Sequence, residues 1–201
     1  MDVYCDNHFN KELEQLVDGE LDCRHVFNLG KPSVILSKTG FPVTDDIELA
    51  SGQLARKAKQ HGFDIRDMNG LVDSIRNPVA VFAYGDAEKT QNVIIDLMHE
   101  DKNFLIGIHF NQEHDNSIVS SIRGIFPKDT AEWLNWINQS KGLYLNIKKI
   151  QDIISKRRTN LADVTYLDLD SIITILEENK SVNDYFPHRS KMKQNDNLLR
   201  I

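Results

Sequence analysis

The sequence predicts an α+β fold in which N-terminal helices are followed by a four-stranded antiparallel meander and then by C-terminal helices. Three observations lead to this prediction. Apolar residues recur at helical spacing before residue 77 and again after residue 127. Between these positions the chain holds four β-rich runs. Short polar stretches join the runs, and such connections favour antiparallel strands because parallel strands need crossovers of about a dozen residues or more.

Each predicted helix of the N-terminal part has an apolar stripe or a residue that begins or ends it. Phe9, Leu13 and Leu16 recur at helical spacing in the first helix. We expect Ser51 to cap a helix that runs to about residue 61, where Gly62 ends it. The remaining predicted helices cover 32–38 and 67–76, and residues 25–29 form a short extended segment.

The four predicted strands cover 79–84, 92–98, 104–110 and 117–126. Residues 42–47 are interpreted as a turn-rich connection before them. After residue 127, helices are predicted over 129–138, from Asn146 onward and over 170–178, with a short strand at 142–145. We therefore divide the chain into an acidic helical segment (1–24), an α+β domain (25–178) and a tail (179–201) that we expect to be poorly ordered.

The 201 residues carry a formal net charge of −6, which gives no global attraction to nucleic acid. The charge is unevenly distributed, because residues 1–22 hold seven acidic residues and one lysine, whereas residues 141–158 hold six basic residues and one aspartate. The residues after position 22 together carry no formal net charge, and their basic stretch at 141–158 could still bind RNA locally. No apolar run approaches membrane-spanning length, and no signal peptide is evident, so we expect a cytoplasmic protein.

The common catalytic motifs are absent from the sequence, including Walker, dinucleotide-binding, nucleophile-elbow and zinc-protease patterns. His109, Glu113 and His114 lie close together, but no further ligand stands at a recognised metal-binding spacing. Cys5 and Cys23 form no metal-binding or redox pair. We therefore expect neither a metal nor a cofactor.

Strand alternation gives the most informative candidate site. In 104–110 one face is apolar and His109 lies on the other, and in 117–126 Ser121 and Arg123 lie opposite the apolar residues. If the strands pair, a proton carrier, a hydroxyl and a fixed cation could share one face, a combination that suits metal-free phosphodiester cleavage. On spacing alone, an ordinary half-exposed polar face is the commoner explanation.

Two helices carry further candidates. Lys57 and His61 border the apolar stripe of the helix over 51–61, where they could line a cleft. Lys148 and Lys149 project from the basic stretch and could hold an RNA backbone. A snorkelling lysine, a capping histidine and a solvated helix face are the commoner explanations. The Trp133/Trp136 pair is interpreted as core packing.

Six sequence blocks, in this order, resemble the phage MuF C-terminal domain, which also occurs in polyvalent proteins of mobile elements. They cover most of residues 8–178: HVFNLGKPSVILSKTGFP (25–42), IELASGQLARKAKQHGFDI (47–65), NPVAVFAYGDAEKTQNVIIDL (77–97), NFLIGIHFN (103–111), IRGIFPKDTAEWLNWINQSKGLYLNIKKIQ (122–151) and RRTNLADVTYLDLDSI (157–172). That family is placed in the barnase–EndoU–colicin–RelE-like superfamily of metal-independent RNases. The resemblance implies a helical segment followed by a small antiparallel sheet.

The resemblance implies an endoribonuclease-like toxin or effector with an RNA substrate and an immunity protein as partner. The chemistry of the residues then gives a hypothesis for the site. His25 or His61 would transfer protons, with Ser121 as an accessory donor and His109 as an alternative catalytic residue. The cations that would contact phosphate are Lys57, Arg123, Lys128, Lys148 and Lys149. The alternative function is a non-catalytic interaction module that could use the acidic N-terminal segment to dock a basic partner.

Overall fold

An eight-stranded mixed sheet with helices on both faces organises the described part of the chain. The computed structural model describes residues 6–85, 89–114 and 117–187. In chain order the elements are α1 (Asp6–Val17), β1 (Val26–Asn28), α2 (Val34–Lys38), β2 (Ile47–Ala50), α3 (Ser51–His61), a 3₁₀ turn (Ile65–Met68), α4 (Leu71–Arg76), β3 (Ala80–Ala83), β4 (Thr90–His99), β5 (Lys102–His114), β6 (Ser117–Lys128), α5 (Thr130–Asn138), β7 (Gly142–Asn146), α6 (Ile147–Ala162), α7 (Leu169–Glu178) and β8 (Asp184–Tyr185).

The strand order is β1-β2-β6-β5-β4-β3-β7-β8. The α+β class is confirmed, and β3 to β6 form the predicted meander, each strand antiparallel to the next. The sheet is nevertheless larger than the predicted four strands. β2 lies largely outside the predicted connection 42–47 and pairs in parallel with β6. Its four residues, followed at once by α3, are too few to display strand alternation in the sequence.

The predicted helix over 67–76 is divided in the structure. A 3₁₀ turn ends at Met68, and α4 begins only at Leu71. Gly70 between them has φ 87°, a left-handed conformation that interrupts a helix and that glycine adopts without a steric penalty.

Two apolar clusters cover opposite faces of the sheet. On the first face, α1 to α4 pack against alternate strand residues that include Ile106, Ile108 and Ile122. On the second face, α5 to α7 pack against Ala80, Phe82, Ile94, Leu105 and Leu145. The apolar residues that alternate along β5 therefore all face the first cluster, as the sequence predicts.

The segments outside the predicted 25–178 domain also contact it. In α1, Phe9 and Leu13 are fully buried, and the Phe9 ring meets Phe27 edge to face at 5.2 Å. Residues 179–187 of the predicted tail are described, and β8 pairs with β7. The Tyr144 hydroxyl donates to the Asp184 carboxylate at 2.7 Å. The remainder of the tail, 188–201, lies outside the described residues.

Candidate functional site

The second face of the sheet contains an open cavity of about 320 Å³ between the middle strands and α5. Residues from the end of β3, from β4, β5 and β6 and from α5 line it. They are Tyr84, Thr90, Asn92, Leu105, Gly107, His109, Arg123, Gly124, Phe126, Lys128 and Trp136. We call it the glycine-floored cavity, because Gly107 and Gly124 form its base.

Two glycines face each other across β5 and β6 at the base of the cavity. Gly107 lies opposite Gly124 in the register of the strands. A Cβ atom on Gly124 would lie 3.3 Å from the Gly107 nitrogen, and one on Gly107 would lie 3.4 Å from the Gly124 Cα. The strands leave little room for side chains here, and the two glycines make the floor bare backbone that a ligand can approach closely.

A β-bulge presents Arg123 to this cavity. Ile108 pairs with Ile122 and Gly107 with Gly124, so Arg123 is the extra residue of β6. The Gln53 side-chain amide donates to the Arg123 carbonyl, which ties α3 to the bulge. The Arg123 side chain is exposed, and within the described ranges its guanidinium forms no ion pair with a carboxylate. It is therefore available to bind an anion.

His109 lies beside Arg123 on the same face. In the sheet register its neighbours are Thr90 on β4 and Ser121 on β6, so the three side chains form a polar row across the strands. Burial lowers the pKa of the half-buried His109, and the positive charge of Arg123 lowers it further. His109 is therefore neutral at pH 7 and can accept a proton.

Lys128 contributes a second cation to the cavity. Its ammonium group pairs with the Glu132 carboxylate and lies 5.4 Å from the centre of the Trp136 ring. Burial lowers the pKa of Lys128, against the opposing effect of Asp129. The ammonium is thus a stronger acid than that of an exposed lysine.

A neighbouring cavity of about 210 Å³ shares Arg123 with the glycine-floored cavity. Its lining comes from β1, β2, β5 and β6 and consists of Val26, Glu48, Ala50, Gln112, Glu113, Val119, Ser121 and Arg123. Arg123 therefore stands at the boundary between two open spaces on one face of the sheet.

The structure brings together His109, Arg123 and Lys128 of the candidates from the sequence, with Ser121 in the neighbouring cavity. It does not bring His25 to them. The His25 Nε2 atom lies 3.3 Å from a Glu12 carboxylate oxygen of α1, and its ring packs edge to face against Phe27 at 4.8 Å. Phe27 belongs to the cluster on the first face, so His25 lies across the sheet from the cavity.

His61 and Lys57 also lie outside the cavity lining. The His61 ring packs against Phe126 at 5.3 Å, and its buried Nε2 atom has no hydrogen-bond partner among the described residues. Burial, and then the charge of Lys57, lowers the pKa of His61. The Lys57 ammonium donates to the Gln60 side chain at 3.2 Å. Through these contacts His61 packs α3 against β6, and Lys57 bonds within α3 itself.

The two lysines of α6 are separate from the cavity. Lys148 is exposed on the helix surface. The Lys149 ammonium donates to the Asn77 carbonyl at 2.6 Å and pairs with Asp96 at 2.8 Å. It joins α6 to the loop before β3 and to β4.

Sequence reasoning missed Tyr84, Thr90, Asn92 and Trp136 as cavity residues. Trp133 is fully buried, as interpreted, but Trp136 is half-buried and lines the cavity. Gly107 could have indicated the cavity, because it lies two residues before His109 and so on the same face of the strand. A glycine within a strand often marks a place where a ligand or another backbone approaches closely.

Among the residues described, no group of three or more His, Cys, Asp or Glu side chains is arranged to hold a metal ion. None of the helices in the described ranges has the length and apolar character needed to span a membrane.

Part of the chain matches a known protein family. Residues 53–152 match the family model of the phage MuF-C-terminal domain. No curated protein and no solved structure matches the chain. The matched range runs from α3 into α6 and includes every residue that lines the glycine-floored cavity.

Proposed function

We propose that this chain is a metal-independent endoribonuclease-like effector of a phage or mobile element, and that it cleaves RNA at the glycine-floored cavity. One observation carries the proposal. A histidine that is neutral at pH 7 and a guanidinium without a carboxylate partner in the described residues face the same open space. A base beside a fixed cation is the minimum requirement for cleaving a phosphodiester without a metal.

The chemistry uses residues already in place. His109 accepts the proton of the ribose 2′-hydroxyl, whose oxygen attacks the adjacent phosphorus. The bond from phosphorus to the 5′-oxygen breaks, and the Lys128 ammonium donates a proton to that leaving oxygen. The products are a 2′,3′-cyclic phosphate and a free 5′-hydroxyl, and His109 and Lys128 then exchange protons with solvent to restore the starting state.

Arg123 stabilises the charge that develops on the phosphoryl oxygens during this reaction. Its guanidinium can donate two parallel hydrogen bonds, and charge-assisted bonds of this kind are roughly twice as strong as neutral ones. Its position at the boundary of two cavities suits a phosphate, because a phosphate in RNA lies between two nucleosides. The Ser121 hydroxyl, which lines the neighbouring cavity together with Arg123, is an accessory donor.

The sequence evidence supports the same proposal from another direction. The match to a phage domain supports the origin in a phage or mobile element. The resemblance to metal-independent RNases supports the reaction class. His109 replaces His25 and His61 as the proposed base, because neither of these lines the cavity.

The test is cleavage of single-stranded RNA in excess EDTA by the purified protein and by a His109→Gln variant. We expect the wild type to cleave and the variant to lose roughly 10²–10⁴-fold in rate, the usual contribution of acid–base catalysis. His8→Gln, which replaces an exposed imidazole on α1, is the matched control and should cleave at the wild-type rate. Equal rates for wild type and His109→Gln would contradict the assignment, and absence of cleavage by the wild type would favour a non-catalytic interaction module.

A further inference from the structure

We propose that the glycine-floored cavity holds one unstacked nucleobase of single-stranded RNA, next to the phosphate bound by Arg123. This inference rests on the proposed function and assigns the part of the RNA that the cavity takes. The aromatic walls of the cavity, its bare backbone floor and one buried amide support this occupant.

Three aromatic side chains line the cavity, namely Tyr84, Phe126 and Trp136. Tyr84 is 61% exposed, although most large apolar side chains of the chain are buried. The Trp136 ring is held from two sides, by edge-to-face contact with Phe82 at 5.3 Å and by the Lys128 ammonium. Fixed, accessible aromatic rings beside cationic groups are the usual platform on which single-stranded nucleic acids stack their bases.

The floor suits a flat ligand. Because neither Gly107 nor Gly124 carries a side chain, a planar ring can lie close to the backbone of β5 and β6. Asn92 lies opposite Gly107 in the register and is only 8% exposed, yet its side chain belongs to the lining. A carboxamide offers one acceptor and two donor hydrogens, which suits the hydrogen-bonding edge of a base.

The occupant must be a base attached to a phosphate, because His109 and Arg123 line the same cavity as the aromatic residues. A double helix keeps its bases stacked and paired, so only a single strand or loop can insert one here. A nucleoside 3′-monophosphate contains both parts and is therefore a suitable probe.

Tryptophan fluorescence reports this binding directly. The chain has two tryptophans, and Trp133 is fully buried whereas Trp136 lines the cavity. We expect 3′-AMP, 3′-GMP, 3′-CMP or 3′-UMP to quench the emission of the wild type and of Trp133→Phe. Trp136→Phe should show no quenching, and inorganic phosphate should cause none in any of the three proteins.

A pair of tyrosine variants tests the stacking. Tyr84→Ala should weaken binding of the best nucleotide by about tenfold in calorimetry, from the loss of one stacking contact. Tyr166→Ala removes an equally large and exposed tyrosine (54%) outside the cavity and should bind as the wild type does. Because both side chains are exposed, neither substitution should unfold the protein.

The outcomes separate this inference from the proposed function. RNA cleavage without nucleotide-dependent quenching, or equal weakening by Tyr84→Ala and Tyr166→Ala, would overturn the base site and leave the nuclease standing. Quenching that is lost in Trp136→Phe, in a protein that cleaves no RNA, would support the base site and overturn the nuclease.

Discussion

Replacement of Arg123 by alanine should damage catalysis while leaving the fold intact. The side chain is exposed and forms no ion pair within the described residues, so its removal should change the free energy of unfolding by no more than about 0.5 kcal/mol. The bulge itself should persist, because Gln53 donates to the Arg123 backbone carbonyl, which the substitution keeps.

The expected catalytic effect follows from the lost contact with phosphate. A hydrogen bond to a charged group contributes roughly 1.5–3 kcal/mol, which corresponds to a decrease of about 10- to 150-fold in kcat/KM. Arg123→Lys should recover only part of this loss, because lysine keeps the charge but not the paired donors. The neighbouring positive charge also lowers the pKa of His109, so Arg123→Ala should raise that pKa toward its ordinary value.

The assay is cleavage of a fluorophore-labelled RNA in EDTA, with urea denaturation of the same samples to verify folding. Arg158→Ala is the matched control, since it removes an exposed arginine on α6 outside the cavity. A decrease of less than about threefold for Arg123→Ala, or an equal decrease for Arg158→Ala, would refute the role given to Arg123.

Three further predictions concern pH and stability. Because His109 acts as a base with a lowered pKa and Lys128 as an acid with a lowered pKa, kcat/KM should follow a bell-shaped pH profile that falls below the pKa of His109 and again above the pKa of Lys128; a rise toward acid would contradict this. Phe9→Ala should cost about 3–5 kcal/mol in urea denaturation, since the ring is fully buried against Phe27, and a loss below about 1 kcal/mol would mean that α1 is an appendage. Tyr144→Phe should cost about 0.5–1.5 kcal/mol by the same method, because it removes the hydrogen bond to Asp184 and water can then solvate that exposed carboxylate; an unchanged midpoint would show that this bond does not hold β8.

The sequence predicts those strands and helices in which a pattern of apolar residues continues over many neighbouring positions. The alternation of Phe104, Ile106 and Ile108 over β5 extends across several pairs of residues and identifies a strand with one buried face. β2 and β8 have four and two residues, and their pairing depends on distant partners. No local pattern contains that information, so tertiary contacts alone place them in the sheet.

In the candidate site, too, local alternation predicts some features, and tertiary contacts determine the others. Strand phase places His109, Ser121 and Arg123 on one face without any knowledge of the pairing, because alternation is a local property. The bulge that makes Arg123 the extra residue lies beside the Gly107–Gly124 pair and shifts the alternation, so Phe126 lines the same cavity as Arg123, which strand phase alone does not predict. His25 directly precedes β1, a strand of three residues whose place in the sheet the sequence does not determine, and so its separation from Arg123 could not be predicted.

The central claim is that this cavity cleaves RNA through the ribose 2′-hydroxyl, and substrate modification tests it most directly. The measurement compares cleavage in EDTA of a single-stranded RNA with that of the same RNA carrying a 2′-O-methyl group at the mapped cleavage site, followed by analysis of the product ends. We predict cleavage of the unmodified RNA to 2′,3′-cyclic phosphate and 5′-hydroxyl ends and none at the methylated position. Equal cleavage of both substrates, or no cleavage of either, would contradict the account.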